Sequence, residues 1–410
     1  MNLKLTAYKN KKTYKIKHRL SDIYNKHFED YVNSPNRRLS LEDKHFIAVI
    51  NSRNCQTARI GVTKYSCTDC DHCHYIYRSC KNRFCARCGN IETRRWAEQS
   101  LKRLLPIKHH HIVFTLPKPF RVIAKRNEKL FYKILFKCTA QAVTDWFKHK
   151  HNIKPGIVSV LHTSGSDLKY HPHIHMIVTG GGMEMESKKL KELKSDFLTR
   201  QRFMASKFKQ FFFKELFSKV RSEKIDATEK FNGDKEKFFK WAREIRDRHW
   251  VVSIQKPLDD IGQIVGYVGR YTKRACLSEY KIESWNAEEV KIRFNDYKNT
   301  PKGEKARQSI KTFTNEGFFD ALLQHVPIQK FKMVRYYSLY SSHYRTFIQE
   351  HVKREVTASH TEETQWVEFE RYRELEKTNG KPDPLYCINC KKLMTDIVVI
   401  YSPNLRFDDT

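Results

Sequence analysis

No apolar run in this chain approaches the roughly 20 residues needed to cross a bilayer. The opening MNLKLTAYKNKK has no apolar core of the kind a secretory signal needs. Membrane integration and export are therefore not expected. No G-x4-GK[ST] loop occurs, so a phosphate-cradling nucleotide site of that kind is absent, and no internal repeat is present. Acidic residues are scarce beside basic ones: Asp+Glu 46 against Lys+Arg 78 in 410 residues, a net charge of +32. Solubility alone needs a charge of only about 2–8 in a small domain. The excess marks a polyanion partner, most often nucleic acid. With 40% hydrophobic and 13% aromatic residues, global disorder is excluded despite the 30% charged fraction. A chain of this length normally folds as two or three domains.

Cysteine is plentiful but unevenly placed. Of eleven, seven lie between Cys55 and Cys88, two form Cys387-Ile-Asn-Cys390, and Cys138 and Cys276 stand alone. A secreted disulfide framework would be spread more evenly, whereas clustered CxxC pairs in a cytosolic chain read as metal ligands. Cys67-x2-Cys70 and Cys85-x2-Cys88 are two knuckles whose four thiolates would complete the tetrahedron of structural zinc. Cys55, Cys73, Cys80, His72 and His74 are possible further ligands. A lone CxxC cannot fill a zinc site, so Cys387 and Cys390 need partners elsewhere or hold no metal. Lys81, Arg83 and Arg87 in the cluster, with Arg94 and Arg95 just after it, offer a basic face for phosphate contacts. The alternative is a scaffold that only stabilises the fold.

Along the chain, a basic arm (Lys9 to Arg19, with Tyr8 and Tyr14 interleaved) leads into helical patterns at about Leu20–Val32 and Leu41–Asn51. After the cysteines come a basic helix (Glu92–Leu105), a buried strand (His109–Leu116) and a long helix (Val122–Phe147). Ile157–His162 and His173–Thr179 read as a hairpin ended by Gly180-Gly181-Gly182. Residues 184–248 read as inserted helical segments whose Phe stripe (Phe197, Phe203, Phe208, Phe211, Phe212, Phe217) is core rather than a functional surface. Trp250–Ile254 returns to strand, and Asp260–Arg274 reads as a helix. A short strand (Val290–Phe294), a helix (Thr314–His325) and an extended Lys332–Tyr340 follow. Residues 350–385 resemble a charged linker. Tyr336 and Tyr337 beside Arg335 could stack unpaired bases or belong to the core.

Two constellations carry chemistry. On a strand, His173 and His175 point to one face with Ile174 opposed, and His171 shares their parity. Two imidazoles on one face can grip one divalent metal; alone, HxH is a poor signal, and surface or structural histidines are the default. Tyr267 and Tyr271 stand at i and i+4 on one helical face, with Arg270, Lys273 and Arg274 around them. Alone, such a pair usually packs. Together they suit phosphoryl transfer. A phenol, weak at its usual pKa of about 10, becomes a nucleophile when oriented and partly deprotonated. A metal gripping a non-bridging phosphate oxygen would offset charge in the in-line transition state. The product, a 5′-phosphotyrosine with a free 3′-hydroxyl, conserves the bond energy and needs no ATP to rejoin strands.

The segments CQTARIGVTKYSCTDC…SCKNRFCARC, FTLPKPFR, LHTSGSDLKYHPHIHMIVTGGG, YVGRYTKR and QHVPIQKFKMVRYYSLYSS, between about Cys55 and Arg345, together resemble the two-tyrosine HUH transposases of rolling-circle insertion sequences. Helitron transposases, relaxases and rolling-circle replication initiators are more distant relatives. The resemblance implies an α+β fold. Its HUH endonuclease domain is an antiparallel sheet with helices (an RRM-like palm), preceded by a helical plus zinc-ribbon-like module and carrying a helical insertion. The divisions expected are 1–51 (basic arm and helices), 52–105 (zinc module), 106–345 (nuclease, insertion about 184–248) and 346–410 (charged tail with the CxxC pair).

It further implies His173 and His175 as ligands of Mg2+ or Mn2+ and a third ligand from elsewhere, for which Gln263 is favoured, with His162 and His171 as alternatives. Tyr267 and Tyr271 become nucleophiles, one holding the first cut strand while the other serves a second cut. The implied partner is single-stranded DNA, with hairpin-containing transposon ends and a target strand, in the bacterial cytoplasm at the nucleoid; no membrane and no nucleotide cofactor are implied. A relaxase or initiator would share this chemistry, but the zinc module ahead of the nuclease argues against it. A non-catalytic zinc-containing DNA-binding protein would have no reason to keep both histidines and both tyrosines.

Overall fold

Runs of β-branched and apolar residues alternate here with long amphipathic stretches, and the chain folds into antiparallel sheets flanked by helices. The computed structural model describes residues 16–401 except 196–197, 226–230, 232, 258–264, 267, 270–274, 298, 302–303, 305, 353–382 and 384, and omits the side chains of 90–92, 94, 95 and 98. Helices α1 (Leu20–Asn33) and α2 (Asp43–Asn54) precede the hairpin β1 (Val62–Ser66) and β2 (Cys73–Tyr77) and helix α3 (Cys88–Leu101). There follow β3 (His109–Thr115), α4 (Arg121–Arg126), α5 (Glu128–His151), β4 (Ile153–Lys154), β5 (Gly156–Ser164) and β6 (Tyr170–Thr179). Next come β7 (Gly181–Glu184), β8 (Leu190–Glu192), α6 (Gln201–Arg221), α7 (Lys235–Asp247) and β9 (Val252–Ile254). The last elements are β10 (Ile282–Trp285), β11 (Glu289–Asp296), β12 (Arg307–Thr314), α8 (Asn315–Leu323), β13 (Val334–Ser338), α9 (Arg345–His351) and β14 (Asp396–Ile400). Among the described residues no helix is long and apolar enough to cross a membrane.

The central sheet has the order β13-β5-β6-β3-β9, and every neighbouring pair is antiparallel. Its two faces differ because side chains alternate along each strand. Ile112 and Phe114 of β3, Ile157 and Leu161 of β5, and Ile174, Met176 and Val178 of β6 face one way, into the main core with α5 and α6. The inserted helices are therefore part of this core. Phe208 and Phe212 are fully buried, and Phe208 meets the rings of Phe114 and Trp250 edge-on. Phe211 and Phe217 pack at its margin, Phe203 is largely exposed, and Phe197 lies outside the described residues. The segment is not wholly helical as expected: β7 and β8 open it. Gly182, at φ +154°, brings β7 against β4 where an added Cβ would stand 2.1 Å from the Lys154 carbonyl oxygen.

The opposite face carries Val158, Val160 and Ile177, covered by Trp96, Ala97 and Leu104 together with Val265 and Val268. Residues 265, 266, 268 and 269 are helical, as the Asp260–Arg274 pattern implies. Gly269 lies so close to α3 that a Cβ there would meet Thr93 at 3.3 Å and the Trp96 ring at 3.5 Å. Tyr336 borders this second core and Tyr337 the first.

A third core joins distant parts of the chain. Leu20, Ile23, Tyr24, Phe28 and Tyr31 of α1, with Val49 of α2, pack on Ile282, Val290, Ile292, Phe318, Phe319 and Leu322. Tyr31 donates to Asp320 at 2.8 Å, and the Leu20 amide to Glu279 at 3.0 Å. Of the β10-β11-β12 sheet, only the β11 strand has a strong sequence signal, because the flanking strands expose alternate polar side chains.

Buried neutral histidines make this fold sensitive to acid. Burial lowers His109, whose nitrogens meet the Ile107 carbonyl and Tyr340 hydroxyl, and His325, held against Thr163 and Leu168, to about 4 each. Between about pH 6.5 and 4 the unfolded chain therefore binds protons that the folded one refuses, so stability is full above about pH 6.5 and falls as pH drops. Urea unfolding should show a loss of about 2 kcal/mol per histidine from pH 7 to pH 5. The His109→Gln variant should have a shallower pH slope; an unchanged slope would rule out His109 as a contributor.

Candidate active site and metal centres

The β5–β6 ladder sets His162 opposite His173, and the β3–β6 ladder sets Val113 opposite His175. One nitrogen from each of His162, His173 and His175 lies within 4.8 Å of the others. His162 Nδ1 stands 3.3 Å from His173 Nε2, and the rings of His173 and His175 are 4.8 Å apart. Burial is the largest cause in each case: it pushes His173 down to about 4 and holds His162 and His175 well below their ordinary value. All three are neutral at pH 7 and keep the lone pairs a metal ion requires.

Hydrogen bonds set the tautomers. His173 Nδ1 donates to the His171 carbonyl at 2.6 Å, leaving Nε2 as its ligand atom. His175 Nδ1 is 3.0 Å from His111 Nε2, and His111 Nδ1 is 2.9 Å from Gln255 Oε1. An amide oxygen only accepts, so His111 donates to Gln255 through Nδ1 and accepts from His175 Nδ1–H. That relay turns His175 Nε2 toward the other histidines. Sequence reasoning missed His111 and Gln255. The available signal was His109-His110-His111 itself, since strand alternation puts its first and third members on the face opposite Ile112.

Of the three candidates for a third ligand, His162 joins the cluster, Gln263 lies outside the described residues, and His171 stays out of the cluster although its ring is 5.2 Å from His173. The β5–β6 register shifts between His162 and Ser164, next to Pro172, which has no N–H for the ladder. His171 Nε2 and Arg121 Nε are both buried without a hydrogen-bond partner among the described residues. Arg121, at the end of FTLPKPFR, is near enough to hold down the protonation of His171 and His173. Sequence reasoning did not single it out.

Tyr267, Tyr271, Arg270, Lys273 and Arg274 lie outside the described residues. Their neighbours Val265 and Val268 are fully buried on Val158, Val160 and Ile177, on the sheet face that carries His173 and His175.

The cysteines sort into two clusters, which corrects the single site expected from Cys67, Cys70, Cys85 and Cys88. Cys85 and Cys88 gather with Cys55 and Cys80, and Cys67 and Cys70 gather with Cys387 and Cys390. Each knuckle is a ligand pair as the spacing implies, but spacing does not say which pairs meet. In the first cluster Cys55 and Cys80 stand 3.5 and 3.6 Å from Cys88, close to the roughly 3.8 Å edge of a tetrahedron with 2.3 Å zinc–sulfur bonds. His74 is not a ligand there: it stacks on Tyr65, ring centroids 5.1 Å apart.

The expected DNA-facing arginines divide. Arg87 donates to the Cys55 carbonyl at 2.6 Å and to Ser21 at 2.9 Å, tying the knuckle to α1. Arg83 lines a small cavity with His162 and His325, and burial lowers it to about 10, so it stays charged at neutral pH. Arg94 lies on α3 with its side chain outside the description.

Two family models match the chain: one described as "Transposase zinc-binding domain" over residues 23–116, and one as "Putative transposase" over residues 156–346. The chain is 29% identical over 330 residues to the "Putative transposase y4qJ" of Sinorhizobium fredii, covering 80% of this chain and 81% of that protein. It is 25% identical over 305 residues to the "Transposase for insertion sequence element IS801" of Pseudomonas savastanoi pv. phaseolicola, covering 72% and 70%. No solved structure matches it. The zinc-binding match and the cysteine clusters make zinc a structural constituent.

The His175 relay gives a direct test. Replacing His111 by Phe should weaken Mn2+ binding about 10–100-fold by titration calorimetry, the usual effect of losing a residue that orients a ligand. Zinc content should not change. Unaltered Mn2+ affinity would remove His111 from the site.

Proposed function

The chain belongs to the transposases of rolling-circle insertion sequences, and from that premise we propose that it is an HUH endonuclease. In this reading it nicks and rejoins single-stranded DNA at transposon ends through Tyr267 and Tyr271. The observation that carries it is the convergence of His162, His173 and His175 on the sheet face where the residues beside Tyr267 pack.

A Mg2+ or Mn2+ ion held by these histidines would withdraw charge from a non-bridging oxygen of the scissile phosphate. His162 would serve as the third ligand, and the Gln255–His111–His175 relay fixes the direction of one donor nitrogen. Arg121 and Arg83 supply positive charge beside the histidines, matched to a phosphodiester. A tyrosine oxygen forms the bond to phosphorus as the bond to the 3′-oxygen breaks. The phenol gives up its proton, the released 3′-oxygen ends as a hydroxyl, and the 5′ end stays on the tyrosine. Attack by another strand's 3′-hydroxyl reverses the step, so no nucleotide is consumed. The second tyrosine lets one strand be held while another is cut. Arg270, Lys273 and Arg274 grip the backbone near the cut, and the zinc module contributes to recognition of hairpin-containing ends.

A labelled strand carrying the element's own end, incubated with the protein and Mn2+, should yield an adduct that survives SDS. The single Tyr267→Phe and Tyr271→Phe variants should retain an adduct and the double variant should form none. Replacing both His173 and His175 by Ala should slow adduct formation by at least about 100-fold. An adduct that persists in the double tyrosine variant would overturn the nucleophile assignment.

A further inference from the structure

The family model for the zinc-binding domain ends at residue 116, yet two cysteines of the second cluster come from the far end of the chain. We propose that Cys67, Cys70, Cys387 and Cys390 form a second, four-thiolate zinc site, whose role is to fasten the C-terminal strand β14 onto the N-terminal zinc module.

The geometry fits zinc and excludes a disulfide pair. Cys67 Sγ stands 3.4 Å from Cys390 Sγ, and Cys70 Sγ stands 3.5 Å from Cys387 Sγ and 4.0 Å from Cys390 Sγ. These separations straddle the roughly 3.8 Å edge of a tetrahedral zinc–thiolate site, far from the roughly 2.05 Å of a sulfur–sulfur bond. They also run between the knuckles, whereas a redox CxxC would pair its own two cysteines.

The two knuckles are built alike. In each, the amide of the first cysteine donates to the carbonyl five residues on: Cys67 to His72 and Cys387 to Lys392, both at 2.9 Å. Lys391, just past the second knuckle, is in the left-handed conformation at φ 61°. Lys392 and Asp69 form an ion pair across the junction at 3.2 Å.

Among the described residues the strand has few other contacts, chiefly Arg78 over the Tyr401 ring at 4.7 Å just past its end. β14 pairs with β1 over five residues, Val62↔Ile400 through Ser66↔Asp396, at the edge of a three-stranded sheet. Ile397, Val398, Val399 and Ile400 nevertheless remain 40–46% exposed, so the pairing gains little from burial. Only Leu385 and Met394, with Tyr65 and Ile76, form a small apolar patch around the sulfurs. Against that stands the entropy of closing a loop between Cys67 and Cys390, 323 residues apart. Binding of zinc to four thiolates supplies free energy to folding directly and is the interaction able to offset that closure.

The test uses the full chain. Elemental analysis should give two zinc ions per chain for the wild type and one for the Cys387→Ser/Cys390→Ser variant, while Cys55→Ser/Cys80→Ser should also lose one. Cobalt substitution should halve the thiolate charge-transfer absorbance in either variant. Hydrogen exchange should show the alternate amides of 396–400 that donate to β1 protected in the wild type and freely exchanging in the tail variant. Protection of the central-sheet amides 174–178 should be unchanged, which separates loss of the fastening from loss of the fold. One zinc in the wild type, two retained in the tail variant, or undiminished protection of those β14 amides would each overturn the proposal. None of these readouts depends on DNA cleavage.

Discussion

In β6, hydrogen-bonded on both sides, a side chain cannot change face without moving the register of the whole strand. Ile174, Met176 and Val178 are locked into the main core by α5 and α6, and this fixes His173 and His175 on the other face. The neighbouring strands bring His162 and His111 to the same side by the same rule. A histidine cluster built this way inherits its rigidity from the hydrophobic core beneath it. The expensive step, burying several imidazoles as neutral bases, rests on packing that the helices already provide.

The second structural theme is that sequence-distant pieces complete one another. The opening helices find their apolar partners in residues 277–326, and the first cysteine cluster ties the end of α2 to the start of α3. α3 in turn covers the sheet face opposite the main core, beside Val265 and Val268. The cysteine-rich N-terminal part and the central sheet are thus connected through packed helices rather than through a tether. A basic chain of +32 can in this way present both parts to one DNA backbone.

Much of this is legible in the sequence. The β-branched runs at 157–162 and 173–179, the helices around 20–51 and 122–147, and the paired histidines follow from periodicity, because one face of each element is buried. The histidines and tyrosines of the proposed site were legible only as a combination of motifs. Three things were not. Which CxxC pairs share a zinc depends on where the chain's end returns, and no local spacing encodes that. The strands β1, β2 and β14 have five residues each and bury only one residue in β1 and none in β2 or β14, so no apolar face marks them in the sequence. His111 looked like an ordinary member of a buried strand, since its role comes from its neighbour across the ladder.

The shared core between α1 and the segment around β10–α8 also bears on biosynthesis. Leu20, Ile23, Phe28 and Tyr31 leave the ribosome about 260 residues before the Ile282–Leu323 surface that buries them. At about 5–20 residues per second, that apolar stripe waits roughly 10–50 s for its partner. During that interval the nascent chain is a natural client for a holding chaperone. The cysteines of the first cluster, all within the leading 88 residues, are available to capture zinc long before the nuclease sheet exists.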